Sequence, residues 1–379
     1  MRQNLLTLRA HRIVRATFIL TAVIGLIPAG AAGATEVNAC GQVHSGSGFL
    51  SADLDCSAFV GDAVTIDGGS LDLRGFTLTG GTGHGVACGN KSCKVVSDPP
   101  GGTITGAVGI GIVVDSANLR LENVTIDSNG RGVLNVGGNT MVFDSVIANN
   151  TDGGVGGGTI RIVRSMVMGT GSGNGVGGVK IRVVDSEVNG NLGQGVDGDR
   201  VTIKGSMVVG NGEEGIFGSE RAKVVDSTVN GNGAEGIAGG IGNRVRAIRS
   251  EISLNGADGV LGHEGQARVS VKECTLSGNG GDGVRNTGSG TTKVVGSSVV
   301  TGNGFYGVFS TLLSPLSCRQ VVRDSTVTGN GTDPDCGVTV TCADLAACEP
   351  PSIAGVTCDT SYDTLSGFPG TSWGICALD

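Results

Sequence analysis

The chain has 379 residues, a formal net charge of -8, and 71 glycines beside only 3% aromatic residues. No Gly-X-Y period accompanies the glycines, which excludes collagen, and a hydrophobic content of 39% excludes a wholly disordered chain. No basic run with interleaved aromatics occurs, so nucleic acid is excluded as a partner.

Arg2, Arg9, Arg12 and Arg15 precede an apolar run from Ala16 to Ile27, and small residues then lead to Ala34. This order predicts a secretory signal peptide over 1–34 with an Ala-x-Ala-type cleavage site. The apolar run is shorter than the roughly 20 residues of a membrane span, so no span is expected in the mature chain. Cleavage would remove four arginines and no acid, moving the net charge from -8 to -12. The expected location is secreted, at the cell surface or in the periplasm.

All 11 cysteines follow this segment. Cys40 with Cys56 and Cys88 with Cys93 form two local pairs. Cys318, Cys336, Cys342, Cys348, Cys358 and Cys376 supply three C-terminal bridges whose pairing the sequence leaves open. Cys274 is left as a buried thiol. A zinc site is the competing reading, but no Cys-x-x-Cys occurs and no histidine lies in the C-terminal cluster.

The middle of the chain repeats. Small residues closing Val-rich segments recur at Gly75, Gly102, Asn123, Ser145, Ser165, Ser186, Ser206, Ser227, Ser250, Cys274, Ser298 and Ser325. Five residues later comes an asparagine: Asn150, Asn191, Asn211, Asn232, Asn255, Asn279, Asn303 and Asn330. Thr170 interrupts this column, and Asn129 stands one residue out of it. A glycine and an aliphatic follow, as in Gly236-Ile237 and Gly259-Val260. A period of this size predicts a solenoid. Each repeat offers three short β-prone pieces and places glycine against helix. The prediction is all-β, a parallel β-helix of about 12 coils stacked at about 4.8 Å. Its asparagines would form an inward ladder, each amide bonding the next.

The Asn-Gly-x-x-Gly-[Val/Ile] repeat resembles those of right-handed parallel β-helices in the pectin-lyase-like superfamily, over about residues 60–335. The resemblance implies a right-handed coil and leaves activity open, because that superfamily holds polysaccharide lyases, hydrolases and epimerases beside non-catalytic surface proteins. Solenoid ends need covers. The expected organisation is therefore an N-terminal cap over 35–60, the β-helix over 61–335, and a Cys-rich, disulfide-bound C-terminal cap over 336–379.

Chemistry is sparse. Gly83-His84-Gly85 matches one polygalacturonase-like element, but no Asp-Asp precedes it and no Arg-Ile-Lys follows. Eight residues past the repeat marker, Glu214, Glu235, Asp258 and Asp282 make a carboxylate column, flanked by Gln194 and Tyr306. It reads either as a calcium or acid-pair site or as a solvated turn position, and the solvated reading is preferred. A basic column, Arg161, Arg182, Lys223 and Arg246, reads as a solvated strand face pairing with acids such as Asp185 and Asp226. Its alternative is a track for an anionic polysaccharide. No catalytic residue, metal or cofactor is assigned, with calcium kept open at the carboxylates. The expected function is a non-catalytic structural or carbohydrate-contacting module touching polysaccharide or the cell envelope. A lyase, hydrolase or epimerase of an acidic polysaccharide is the alternative.

Overall fold

Alternating Val-rich segments can bury one side and wet the other. Along Arg244–Ile248, Val245 and Ala247 are buried while Arg244 and Arg246 are exposed. The computed structural model describes residues 33–312, 319–331, 336–340 and 352–358, with backbone alone for 311–312, 319–320, 336–340 and 352–358. Every described element is a strand, and all pairings are parallel.

Three sheets result, each adding one strand per coil. Sheet I holds the Val-rich pieces, such as Arg244–Ile248 on Arg268–Lys272 on Thr291–Val295. Sheet II follows the small marker residue, as in Thr228–Asn230 on Glu251–Ser253 on Thr275–Ser277. Sheet III follows the asparagine turn, as in Ile237–Ile241 on Val260–His263 on Val284–Asn286. The inward residues stack in columns, for example Val208, Val229, Ile252, Leu276 and Val300, all fully buried. Each such side chain contributes roughly 1.5–3 kcal/mol by leaving water. A single Val229→Asp change would strand a charge in that column. No helix occurs among the described residues, and hence none long and apolar enough to cross a membrane.

Two corrections to register follow. Val124, not Asn123, lies level with Gly102, and the Ser145 hydroxyl accepts the Val124 N–H at 3.2 Å. Asn123 has φ 55°, the left-handed turn position that Asp144, Asp185 and Asp226 fill on later coils. Counting from Val124 puts Asn129 five residues on, in line with the other asparagines. Its Nδ2 and backbone N–H both donate to Asn150 Oδ1, at 3.2 and 3.0 Å.

Stacking also extends past the expected boundaries. Thr35–Glu36 pairs with Gln42–Phe49, which pairs with Val64–Asp72. Residues expected to cap the N-terminal end are therefore coils themselves. Their Gly- and Ser-rich strands lack the Val signature that marks the later repeats. Beyond residue 335, Cys336–Val340 continues sheet III, and Ser352–Cys358 continues sheets I and II. Cys40–Cys56 and Cys88–Cys93 are disulfides within the first coils, and Cys274 is a buried free thiol. The expected signal peptide, apart from Gly33 and Ala34, and the bridges of Cys318, Cys336, Cys342, Cys348, Cys358 and Cys376 lie outside the described residues and side chains.

Candidate functional site

The asparagine column faces inward. Asn191, Asn211, Asn232, Asn255, Asn279 and Asn303 each donate Nδ2 to the amide oxygen one coil on, at 2.8–2.9 Å. Each also donates to a backbone carbonyl of the preceding coil, such as Val208 for Asn232. Asn330 in turn accepts from Asn303. Asn150 bonds Ile126 O, while Thr170 above it turns its hydroxyl to Gly173 O. These contacts hold the turn, and the column from Asn150 to Asn303 is buried.

The carboxylates do stack. Successive glycine N–H groups donate to the main-chain oxygens of Glu214, Glu235, Asp258 and Asp282, placing them on consecutive coils. They are not a uniformly solvated column: Asp258 is 5% exposed and Asp282 4%. Asp258 Oδ1 accepts Asp282 N–H at 2.7 Å, and Asp282 Oδ1 accepts Tyr306 N–H at 2.8 Å. These two acids are buried because each caps the next coil's backbone. Arg285 approaches both, its nitrogens 3.9 Å from Asp258 Oδ2 and 4.0 Å from Asp282 Oδ2. Burial pushes Asp258 up to about 6 despite that cation, and raises Asp282 and Glu235 as well. Farther along, Gln194 Nε2 donates to Glu214 Oε2. Among the described residues, no group of three or more His, Cys, Asp or Glu side chains is placed to hold a metal ion. His84 Nδ1 accepts the Ile110 N–H, so that histidine is tied into the turn of its coil.

Sheet I carries the larger concentration of charge. Arg161, Arg182, Lys223 and Arg246 share one outward column, interrupted by Thr202. Two residues earlier, on the same face, lies a column that the repeat alignment passes over. Lys180, Arg200, Arg221, Arg244 and Arg268 occupy five consecutive coils without a break. The signal is visible in the sequence as KIR at 180–182, RVTIK at 200–204, RAK at 221–223, RVR at 244–246 and RVSVK at 268–272. In each, a cation is followed at even spacing by another, the alternation of a strand face.

The expected ion pairing is not found. Asp226 is held by Arg249, and Asp144 by Arg164, both bases of the turn beyond sheet I. Among the described residues Asp185 has no ion pair. Arg200 pairs with Glu220 at the bend. Among the described residues, Lys180, Arg221, Arg244 and Arg268 of the unbroken column have no ion-pair partner, and neither do Arg161, Arg182, Lys223 and Arg246. Within the Val-rich pieces of sheet I no carboxylate occurs between Lys180 and Lys293, and the nearest acids, Asp199 and Glu220, stand at the bend just before Arg200 and Arg221. The surface is cationic in a chain whose net charge is -8.

A family model described as "Right handed beta helix region" matches residues 194–345. The crystal structure of the periplasmic alginate epimerase AlgG is similar to this chain, with a TM-score of 0.51, 14% identity, and 83% of this chain and 84% of that one covered. The chain is a right-handed parallel β-helix. The Azotobacter vinelandii mannuronan C-5 epimerase AlgE6 A-module also matches, with a TM-score of 0.41, 14% identity, and 86% and 91% of the two chains covered. At these identities the likeness concerns fold alone. No curated protein matches the sequence.

Proposed function

We propose that this β-helix is a non-catalytic, extracytoplasmic module that holds an acidic polysaccharide along sheet I. The observation that carries the proposal is the unbroken column Lys180, Arg200, Arg221, Arg244 and Arg268. Coil stacking sets these cations about 4.8 Å apart, so a linear polyanion laid across the strands meets one cation per coil. Guanidinium groups take carboxylates in a bidentate fork and are weakly hydrated, so four arginines of five favour that ligand. A second row two residues away widens the track. Bond cleavage needs an acid or base beside the bound chain, and on this face the ion-paired carboxylate, Glu220, is held by Arg200.

The test is binding to polygalacturonate and alginate by calorimetry at several salt concentrations. Affinity is expected to fall steeply with salt and by tenfold or more in an Arg221→Gln, Arg244→Gln, Arg268→Gln variant (one such step being about 1.4 kcal/mol). Undiminished binding by that variant would refute the assignment. Release of reducing ends or unsaturated products, abolished by Asp258→Asn, would replace the module by an enzyme.

A further inference from the structure

Away from the cationic face, the outward surface of sheet III and its preceding turn is hollowed by a cavity of about 370 Å³. Two outward columns cross it. One runs Arg131, Gly153, Asn174, Gln194 through the turn, and the other runs Leu134, Gly156, Gly177, Asp197 through the strands. Side chains are absent at Gly153, Gly156 and Gly177, and the coils on either side keep theirs. The hollow is thus two coils wide, about 10 Å at 4.8 Å per coil, and has unlike walls.

On one wall stand Arg131 and Leu134. The Arg131 guanidinium leans over the hollow, its Nε 3.8 Å from where a Cβ on Gly153 would sit and its Nη1 3.7 Å from that of Gly156. No carboxylate or carbonyl engages that guanidinium among the described residues. On the opposite wall Asn174 is fixed, its Nδ2 donating to Gln194 Oε1 and to Asp197 Oδ2 and its Oδ1 accepting Gln194 N–H. Asp152 lines the rim.

We infer that this hollow is a second binding site, which takes a single carboxylate-bearing sugar ring. The unpaired guanidinium supplies a planar, bidentate seat for one carboxylate. Asp152 accepts from hydroxyls at the rim and repels any second anion. Leu134 and the bare glycine backbone receive the C–H face of a ring. The volume lies at the low end for small-ligand sites and is enough for one ring. The site shares no residue with the cationic face and does not depend on it.

The two sources of such a ring, a free sugar acid and the end residue of a polyuronate, share this chemistry. Calorimetry on the full chain with D-galacturonate, D-glucuronate and reduced oligogalacturonates separates them, with D-galactose as the uncharged control. Gly177 is the clean handle: a Cβ there meets nothing within 4 Å, and Phe217 occupies the same column two coils on. Gly177→Phe should fill the hollow and abolish sugar-acid binding with an unchanged melting temperature. Arg131→Gln should weaken binding at least tenfold and bring it to the level of D-galactose. The Arg221→Gln, Arg244→Gln, Arg268→Gln variant should bind the monomer as the parent does. Binding of oligomer ends alone would keep the site and assign the second source. No binding of any acid at millimolar concentration, or binding indifferent to Gly177→Phe, would overturn it.

Discussion

Asn232 Nδ2 lies 2.9 Å from Asn255 Oδ1, one coil on, while Asn232 Oδ1 accepts both the backbone and the amide N–H of Asn211. One side chain therefore serves three coils. Removing it leaves Val208 O, Asn211 N–H and the Asn211 amide without their partner, all away from water. Asn232→Ala is expected to cost roughly 1–3 kcal/mol in urea unfolding. Lys180→Ala, on the exposed face, should stay within about 0.5 kcal/mol. Equal effects would contradict an inward ladder.

Thr170 gives the converse case. It occupies an asparagine position but sends its hydroxyl to Gly173 O, so the Asn150 amide has no amide oxygen above it. Thr170→Asn should restore the missing step and stabilise by about 0.5–1.5 kcal/mol. A lower urea midpoint than the parent's would show that Thr170 fits the turn better than the amide does.

The ladder was legible because identity at a fixed spacing is what stacking demands, and its inward direction followed from the amide's need for partners. The Asn123 slip arose because the marker is defined by a small side chain, and Val124 is not small. Burial of Asp258 and Asp282 was not legible. Their repeat looked like an exposed turn, and only the fold shows their oxygens capping the backbone of the next coil. The column from Lys180 to Arg268 was missed for another reason. The inward valines and the small marker residues define the repeat, so only one of the two outward positions of the strand stands out in it.

Cys274 sits where its neighbours in the stack carry serine. Its N–H donates to Ser298 Oγ at 3.2 Å, and its thiol points to Lys272 O. Burial pushes its pKa up, so the thiolate needed for alkylation is scarce. Native iodoacetamide treatment followed by mass spectrometry should leave Cys274 unlabelled. Cys274→Ser should change stability by less than about 1 kcal/mol, because the hydroxyl enters a ready-made serine stack. Rapid native labelling would place this thiol at the surface.

His44 is 5% exposed, and neither ring nitrogen finds a partner among the described residues. Burial lowers its pKa, so the folded state prefers the neutral ring. The unfolded chain then binds more protons below its own pKa of about 6.5, and stability is lost as pH falls through that region. His44→Leu removes the unsatisfied nitrogens and should stabilise by about 1 kcal/mol or more at pH 5, with a smaller gain at pH 8. Thermal melts at the two pH values decide it. A gain no larger at pH 5 than at pH 8 would mean that His44 is not held neutral.

Asp258 runs with the opposite sign. Its folded pKa is raised to about 6, with burial the main cause, whereas an unfolded aspartate titrates near 4. Between those values the folded state binds the extra proton, so its contribution is full below about pH 4 and is lost as pH rises through 6. The facing groups are Glu235 and Asp282, both raised, and Arg285, which opposes the shift. Asp258→Asn keeps an oxygen to accept the Asp282 N–H and removes the charge. The variant should therefore exceed the parent's stability at pH 8 by about 1–3 kcal/mol, and the difference should vanish near pH 4. The difference between the two pH curves, rather than either alone, isolates this carboxyl from its neighbours. A variant less stable than the parent at pH 8 would show that the Arg285 attraction outweighs the cost of burying the charge.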